Sequence, residues 1–231
     1  MHILDCGCGA GSITMGFAQK VHPAKVVGID QDGAQIAQAN ARAQELGLNN
    51  VTFLVANVHQ IPFEDSRFDG VFSHALLEHL TDPLGALSEM RRVLKDGGII
   101  GARVPDHGGY LLNPSDNKIL ANSLKLQERL LQYKGGDPFI GRKLRGLLHA
   151  AKFIKVHVGA SWDYAGTEDQ VAFVSSLLSS SFTDGGLVRQ LLDLGWSTYE
   201  SLQEMAAEWL KWKNDPSAIL GIARCEGIGY K

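Results

Sequence analysis

Asp5, three alternating glycines and Asp30 are the residues whose types and spacing point most directly to chemistry. Gly7, Gly9 and Gly11 follow a short apolar run and precede an apparent helix. A second apolar run then leads into Asp30, about twenty positions beyond the turn. Proteins of the α/β class use this order of strand, glycine-rich turn, helix, strand and acid to hold the ribose of a nucleoside.

The glycine spacing narrows the class of nucleoside. A dinucleotide fingerprint requires G-x-G-x-x-G, but counting from Gly7 places Ser12 where the third glycine should stand. The three glycines would allow backbone conformations and a close ligand approach that a side chain would block. The Asp30 carboxylate can accept hydrogen bonds from both ribose hydroxyls. The plain alternatives are a glycine-rich turn of another α/β protein and a solvated aspartate at a strand end.

The pattern D-x-G-x-G-x-G resembles motif I of the class I S-adenosylmethionine-dependent methyltransferases. A second stretch, IPFEDSRFD over residues 61–69 and SHALLEHL over residues 73–80, is similar to the ubiquinone/menaquinone-biosynthesis-like members, often called the type 11 methyltransferase domain. The similarity covers roughly residues 2–105, and a weaker one extends to residues 135–142. It implies an enzyme that uses S-adenosyl-L-methionine and releases S-adenosyl-L-homocysteine.

The resemblance implies a role for each residue of the first motif. The glycine turn would face the methionine part of the cofactor, and Asp5 would organise this loop and the cofactor's amino group. Asp30 would bind the ribose, and Gln31 would lie beside the adenine edge.

The resemblance also assigns residues after the third and fourth strands. Asn57 stands where the family usually has Asp, and its carbonyl oxygen can still accept from the adenine amino group while the Val58 N–H donates to a ring nitrogen. A structural asparagine in a turn is the alternative. Ser73 and His74 would line the methionine side of the cofactor, with simple packing at the strand end as the alternative for His74.

Few residues are expected to act in catalysis, because methyl transfer from a sulfonium needs mainly alignment and exclusion of water. His79 is a candidate general base, since histidine titrates near neutrality, or else a helix residue bridging to a neighbour. His107 and Tyr110 follow the fifth predicted strand, where an acceptor would meet the methyl group, with a polar loop as the alternative. Some relatives bind a metal through E-x-x-E-H, but Ala75 occupies the first position here, so no metal is predicted.

The elements that position these residues alternate between strand and helix over residues 1–105, which predicts βαβ units. We predict a Rossmann-like seven-stranded, mostly parallel sheet with an antiparallel last strand, helices on both faces, and a helical cap from insertions after strands 5 and 6. Residues 1–105 would form the S-adenosylmethionine-binding core. Residues 106–231 would supply the cap insertions and the last two strands of the same sheet, in a single domain overall.

Individual elements follow from local signals. Asp32 and Asp82-Pro83 predict helix starts, and residues 95–98 predict a helix end before a fifth strand over residues 99–104. Further on we predict helices over 116–133 and 138–150, a strand over 153–160, a long helical region over 167–213 and a closing strand over 218–230. Methyltransferases of this kind usually carry one or two helices before the first strand. Either that segment is missing from this chain or something else covers that side.

Composition limits the partners. The net charge is −3 over 231 residues, which gives no electrostatic reason to expect nucleic acid, and no apolar run approaches the length of a membrane span. Three cysteines do not form a disulfide framework, so the cytoplasm is the default location.

The main hypothesis is methyl transfer to a small-molecule acceptor whose identity stays open, as does the oligomeric state. One alternative is a non-catalytic S-adenosylmethionine-binding partner subunit. The other is an aminopropyl-type transferase on the same fold, although such enzymes usually place an acidic pair where Ser73-His74 stand.

Overall fold

The computed structural model of the protein describes residues 1–21 and 23–231. Its strands in chain order are β1 (His2–Cys6), β2 (Lys25–Asp30), β3 (Val51–Val55), β4 (Phe68–His74), β5 (Leu94–Asn113), β6 (Ile154–Ala165) and β7 (Ile219–Tyr230). Its α-helices are α1 (Ser12–Lys20), α2 (Gly33–Glu45), α3 (Pro83–Val93), α4 (Lys118–Tyr133), α5 (Leu144–Ala150), α6 (Glu168–Ser181), α7 (Gly186–Asp193) and α8 (Tyr199–Trp212). Short 3₁₀ helices lie at Leu77–His79 and Gly141–Lys143.

The strands form one mixed sheet in the order β3-β2-β1-β4-β5-β7-β6. Neighbours from β3 to β5 are parallel, whereas β7 runs antiparallel to both β5 and β6. The strand order reverses between β1 and β4, and ligands of open α/β sheets bind beside such a reversal, at the carboxyl ends of the strands. The predicted Rossmann-like, mostly parallel sheet is therefore confirmed.

The chain divides into two compact units. The first contains residues 1–105, 139–161 and 224–231, and the second contains residues 106–138 and 162–223. Strands β5, β6 and β7 each contribute residues to both units. The division of function at residue 105 that the sequence suggests stays a prediction.

Two apolar clusters of the first unit lie on opposite faces of its sheet. Leu4 and Ile29 belong to a large buried cluster that includes Leu87 of α3 and Leu148 of α5. Phe53 belongs to a second cluster with residues of α1 and α2. Phe53 pairs with Gly28, the neighbour of Ile29, and consecutive strand residues face opposite sides of a sheet. Helices α1 and α2 therefore pack on the face opposite α3 and α5.

The predicted helix starts are confirmed. The Asp32 carboxylate accepts from the N–H groups of Ala34 and Gln35 at the start of α2. The Asp82 carboxylate accepts from the Gly85 N–H at 2.8 Å, with Pro83 in the first turn of α3. These contacts satisfy N–H groups that have no partner inside the helix.

The fifth strand is longer than predicted at both ends. Its first residue, Leu94, follows α3 directly. The Gly97 N–H donates to the Lys231 carbonyl, and the Lys231 N–H donates to the Gly98 carbonyl, so these glycines lie in the sheet. At its other end the predicted strand end at residue 104 is wrong, since residues 105–110 continue β5 and do not leave the sheet. A Cβ on Gly109 would collide with the Ala223 Cβ, so the glycine permits close approach to β7.

The predicted helical region over residues 167–213 is three helices, α6, α7 and α8. Gly185 and Gly195 adopt positive φ angles in the two breaks, and Thr198 caps α8 by accepting from the Ser201 N–H. Among the described residues, no single helix is long and apolar enough to cross a membrane. By length and composition alone, α6 and α7 together would be, with a 45° bend between them.

Candidate functional site

The glycine turn between β1 and α1 is a left-handed loop anchored to β2. Gly7, Gly9 and Gly11 have φ angles of 72°, 52° and 78°, which disfavour side chains. The N–H groups of Gly7 and Cys8 both donate to the Ile29 carbonyl, at 2.8 and 3.0 Å. The loop is therefore held against the end of the strand that carries Asp30.

The buried Phe53 ring and the Leu76 side chain limit where the loop can lie. A Cβ on Gly11 would lie 2.5 Å from the Phe53 Cζ, and one on Gly28 would lie 2.7 Å from the Phe53 Cδ1. A Cβ on Gly7 would lie 2.9 Å from the Leu76 Cδ1. The three contacts favour glycine because the loop and the adjoining β2 both pack directly against side chains of β3 or of the segment after β4.

Asp30 is oriented by two backbone donors. Its Oδ2 accepts from the Gly9 N–H at 2.9 Å, and its Oδ1 accepts from the Asp32 N–H at 3.0 Å. The side chain is half-buried and lines a cavity. Because each carboxylate oxygen has more than one lone pair, both can still accept from a ligand.

The cavity lies at the carboxyl ends of β1, β2 and β3 and has a volume of about 260 Å³. Five predicted cofactor residues and one predicted catalytic residue line it, namely Gly7, Asp30, Gln31, Asn57, Val58 and His79. Six further lining residues were not predicted from the sequence: Ile29, Ala56, His59, Leu76, Leu80 and Thr81. Most of these are chain neighbours of predicted residues, and four of the six have apolar side chains that carry no chemical signal of their own.

Asn57 forms a turn at the edge of this cavity. Its Oδ1 accepts from the His59 N–H at 2.9 Å, and the His59 Nε2 donates to the Asp82 carbonyl at 2.9 Å. The structural contact and the predicted adenine contact use the same oxygen, which has two lone pairs. Val58 directs its side chain into the buried core of the first unit, so only its backbone is available to a ligand.

Asp5 lies beneath the loop and does not line the cavity. Its carboxyl is almost fully buried, and Oδ2 accepts from the Thr14 hydroxyl at 2.6 Å. Burial raises the pKa of Asp5 to about 7, the Thr14 hydrogen bond opposes that rise, and the negative charge of Asp30 adds to it. Asp5 thus ties β1 to α1, which fixes the two ends of the turn.

Ser73 and His74 end β4 beside the glycine turn. Ser73 pairs with Cys6 in the parallel ladder and is fully buried, and among the described residues its hydroxyl oxygen has no hydrogen-bond partner. The His74 Nε2 lies 3.2 Å from Nη1 of Arg103 on β5. The two residues therefore sit at the predicted edge of the sheet, and neither lines the cavity.

Glu78 and His79 lie in the 3₁₀ helix that follows β4. Glu78 is 2% exposed, and within the described part of the chain its Oε2 has no hydrogen-bond partner. Burial raises the pKa of Glu78 to about 7, opposed by its own backbone N–H and by the positive charge of Arg224. The His79 side chain is 62% exposed, and its Nε2 lies 3.9 Å from the Glu78 Oε1. In the sequence, Glu78 stands out only as part of the incomplete E-x-x-E-H metal motif.

His107 and Tyr110 belong to the second unit. The Tyr110 hydroxyl lies 3.0 Å from the His107 Nδ1, and the two rings meet edge to face. The neighbouring Asp106 is buried and accepts from the Gly108 N–H. The structure thus pairs the two predicted catalytic residues with each other.

A metal site would require several His, Cys, Asp or Glu side chains close together. Across residues 1–21 and 23–231, no group of three or more His, Cys, Asp or Glu side chains is arranged to hold a metal ion. All three cysteines are free thiols. Burial raises the pKa of Cys8 to about 12, helped by the charges of Asp5 and Asp30, so this thiol stays protonated.

Comparisons with known proteins agree with this geometry. A family described as "Methyltransferase domain" matches residues 1–135, more than half of the chain. An uncharacterised methyltransferase of Schizosaccharomyces pombe is 32% identical over 228 residues, covering 92% of this chain and 78% of that protein. Demethylmenaquinone methyltransferase of Geobacillus stearothermophilus is 31% identical over 172 residues, covering 67% of this chain and 71% of that enzyme.

A solved structure shows the same fold. Haemonchus contortus phosphoethanolamine N-methyltransferase 2, in complex with phosphomonomethylethanolamine and S-adenosylhomocysteine, has a TM-score of 0.61 and 19% identity. The match covers 100% of this chain and 49% of that one. Together with the loop and cavity geometry, the family match and the S. pombe relative show that the chain belongs to the S-adenosylmethionine-dependent methyltransferase family.

Proposed function

We propose that this chain moves a methyl group from S-adenosylmethionine to a small-molecule acceptor by in-line displacement. The observation that carries the proposal is the Asp30 carboxylate, which the Gly9 and Asp32 N–H groups hold at a cavity lined by the glycine turn. A carboxylate fixed in this way suits the paired hydroxyls of a ribose, because charge-assisted hydrogen bonds are roughly twice as strong as neutral ones.

The residues present fit the cofactor. Asp30 would take the ribose, and Asn57 with the Val58 backbone would take the adenine edge, next to apolar side chains such as Leu76 and Leu80. Two buried oxygens, Ser73 Oγ at the end of β4 and Glu78 Oε2 in the segment after it, have no hydrogen-bond partner among the described residues. Buried polar atoms are nearly always hydrogen-bonded, so a polar ligand at this edge would satisfy them.

Positioning accounts for most of the proposed catalysis. When bound, S-adenosylmethionine supplies an activated methyl group on a positively charged sulfur. The protein residues need only align the acceptor with that group, an effect worth up to roughly 7–11 kcal/mol, and exclude water from it. This chemistry explains why strong cofactor signals accompany weak catalytic ones.

Three side chains are proposed to handle the acceptor's proton. His79 lines the cavity and is largely exposed, so a ligand can reach its ring. His107 and Tyr110 share a hydrogen bond that fixes the direction of the phenol oxygen. A base helps only where the acceptor loses its proton late, so replacing His79 by Gln should lower kcat more than it changes the affinity for S-adenosylhomocysteine.

The size and setting of the acceptor are inferred from charge and from relatives. A net charge of −3 provides little attraction for nucleic acid, and the names of two related enzymes specify small molecules, demethylmenaquinone and phosphoethanolamine. Three free thiols suit a reducing compartment, which supports a cytoplasmic protein.

Transfer of a labelled methyl group into fractionated host metabolites tests the proposal. We expect label to appear in a small-molecule fraction and to be lost in the Asp30→Ala variant. Binding of S-adenosylhomocysteine without transfer into any fraction would support a non-catalytic partner subunit instead. Turnover only with decarboxylated S-adenosylmethionine would indicate an aminopropyl transferase.

A further inference from the structure

A chain of polar side chains crosses four neighbouring strands of the first unit. The Arg103 Nη1 lies 3.2 Å from the His74 Nε2, and the Arg103 Nε donates to the Glu226 Oε1 at 3.0 Å. The Ser161 hydroxyl donates to the same Glu226 oxygen at 2.5 Å. His74, Arg103, Glu226 and Ser161 lie on β4, β5, β7 and β6, which is their order in the sheet. A polar row of this length at the carboxyl end of β4 calls for a functional explanation.

The row fixes the chemical state of the His74 ring. A guanidinium has only donors, so Arg103 donates and the His74 Nε2 must accept. The ring proton therefore resides on Nδ1 and the ring is uncharged. Register supports the contact, because His74 and Arg103 are direct partners in the parallel ladder between β4 and β5.

The row also balances its own charge. The Arg103 guanidinium is 24% exposed and forms an ion pair with Glu226, so the two side chains together carry no net charge. A cation and an anion in this order fix the histidine without adding a positive charge to the site. The absence of an added positive charge matters because S-adenosylmethionine is itself positively charged at sulfur.

We propose that Arg103 and Glu226 are positioning residues that keep His74 uncharged beside the bound sulfonium. This inference rests on the proposed function, in which the cofactor binds at the glycine turn: His74 ends β4, where the preceding Ser73 pairs with Cys6, the residue directly before that turn. An imidazolium there would repel the sulfonium of S-adenosylmethionine, whereas S-adenosylhomocysteine, a neutral thioether at the same atom, would be unaffected. The row therefore affects the ratio between the affinities for S-adenosylmethionine and for S-adenosylhomocysteine.

Other titratable groups surround this end of the sheet. On β1, which pairs with β4, they are Asp5 and Cys6, and on β7 they are Arg224 and Glu226. Glu78 and His79 follow β4 directly. Since the pKa values of Asp5 and Glu78 are both raised to about 7, they also change the relative affinities for the two cofactor forms with pH. The experiment must separate their effect from that of His74.

A mutant cycle makes that separation. The ratio of the Kd for S-adenosylmethionine to the Kd for S-adenosylhomocysteine is measured by calorimetry between pH 5.5 and 7.5. In the wild type, His74→Gln should leave the pH dependence of this ratio unchanged. In an Arg103→Met/Glu226→Gln background, the ratio should rise by an additional factor of about 5 to 10 as the pH falls through the ordinary histidine range, and adding His74→Gln should abolish that rise.

Two control variants should show the same Kd ratio as the wild type. Arg103→Lys retains a charged donor and should behave as the wild type. Ser161→Ala removes the far end of the row without touching His74 and should leave the ratio unchanged. If His74→Gln has the same effect, within about twofold, in both backgrounds at every pH, the inference is overturned.

A measurement on the wild type reports the tautomer directly, and a variant is needed only to assign the signal. Nitrogen chemical shifts of labelled histidine, with His74→Gln used for assignment, should show His74 as the Nδ1–H tautomer at neutral pH. An Nε2–H tautomer would contradict the contact with Arg103. If the wild type binds neither cofactor form, the proposed function fails, while the tautomer still decides whether the row fixes the ring.

Discussion

At the scale of single residues, three carboxylates differ in role because their environments differ. Asp30 is half-buried, lies on the cavity and accepts two backbone hydrogen bonds. Asp5 and Glu78 are nearly fully buried. Two N–H donors orient the Asp30 carboxylate, whereas burial disfavours a charge on the other two. The same residue type therefore serves recognition at one position and structure at another.

Asp5 should make stability depend on pH in a defined direction. Burial raises the pKa of Asp5 to about 7 from a usual value of 3.8, so the folded protein retains a proton that the unfolded chain has released. This contribution is complete below pH 4 and is lost as the pH rises through 7. The free energy of unfolding of Asp5→Asn, relative to the wild type, should therefore rise by at least about 1 kcal/mol between pH 5 and pH 8.

Urea unfolding at several pH values measures this effect. Asp96→Asn is the matched control, because Asp96 is exposed, and its difference from the wild type should not vary with pH. A constant difference for Asp5→Asn would show that this carboxyl is not protonated in the folded state.

At the scale of elements, the glycine turn is specified by sterics as well as by backbone conformation. Gly11 has a φ of 78°, and its Cβ would meet the Phe53 ring. Gly47, at the end of α2, has a φ of 64° with nothing within 4 Å of its Cβ position. Comparing Gly11 with Gly47 therefore separates the effect of the Cβ contact from the effect of the positive φ angle.

Gly11→Ala should therefore lower the free energy of unfolding by about 2–4 kcal/mol, since it adds overpacking to backbone strain. Gly47→Ala should lower it by only about 1 kcal/mol, from strain alone. Thermal unfolding of both variants checks the comparison. Equal losses would mean that Phe53 moves aside without resistance and does not set the loop position.

The segment after β3 depends on one arginine of α3. Arg92 donates to the carbonyls of Ile61 and Phe63 and pairs with Glu89 and Asp65. The Asp65 side chain is 75% exposed, so that ion pair contributes little. The two contacts with backbone carbonyls matter more, because they join this segment to α3. The Ile61 carbonyl also accepts from the Phe63 N–H at 2.7 Å.

Arg92→Ala should lower the free energy of unfolding by about 2 kcal/mol and speed amide exchange over residues 58–66. Arg91→Ala removes a neighbouring arginine whose contact is with the Lys152 carbonyl, and it should cost less than about 0.5 kcal/mol. Hydrogen exchange with mass spectrometry compares the two. Unchanged exchange in Arg92→Ala would rule out the arginine as the anchor of this segment.

Elements with strong local signals could be predicted from the sequence, and those defined by distant partners could not. Asp32 and Asp82-Pro83 specify helix starts locally, and both are confirmed. Residues 95–98 and 106–110 are rich in Gly and Asp, which is typical of turns, yet β5 includes both because Lys231 and Ala223 lie beside them in the structure.

The same limit applies to the site. Asp30 and Gly7 are recognisable by type and spacing, whereas Leu76 and Thr81 line the cavity only because of where the chain after β4 runs. Glu78 is recognisable in the sequence as a charged residue, but its burial could not be predicted because it depends on tertiary packing. The tautomer of His74 depends on Arg103, 29 positions away in the chain.

At the scale of the whole molecule, the family signal and the fold extend over different lengths. The methyltransferase domain match ends at residue 135, whereas the fold likeness to a solved methyltransferase covers the entire chain. The first unit holds the cavity and its lining, and the second holds the His107–Tyr110 pair, with Tyr110 partly buried against that unit's apolar cluster. Cofactor recognition is therefore a property that can be tested on the first unit's residues alone.

Calorimetric titration of the full chain with S-adenosylhomocysteine tests the central claim most directly. The wild type should bind it, Asp30→Ala should bind at least about 10-fold more weakly because a charge-assisted ribose contact is lost, and Asp96→Ala, an acid outside the cavity, should bind as the wild type does. Equal affinity for the wild type and a folded Asp30→Ala variant would contradict the assignment of this cavity to the cofactor.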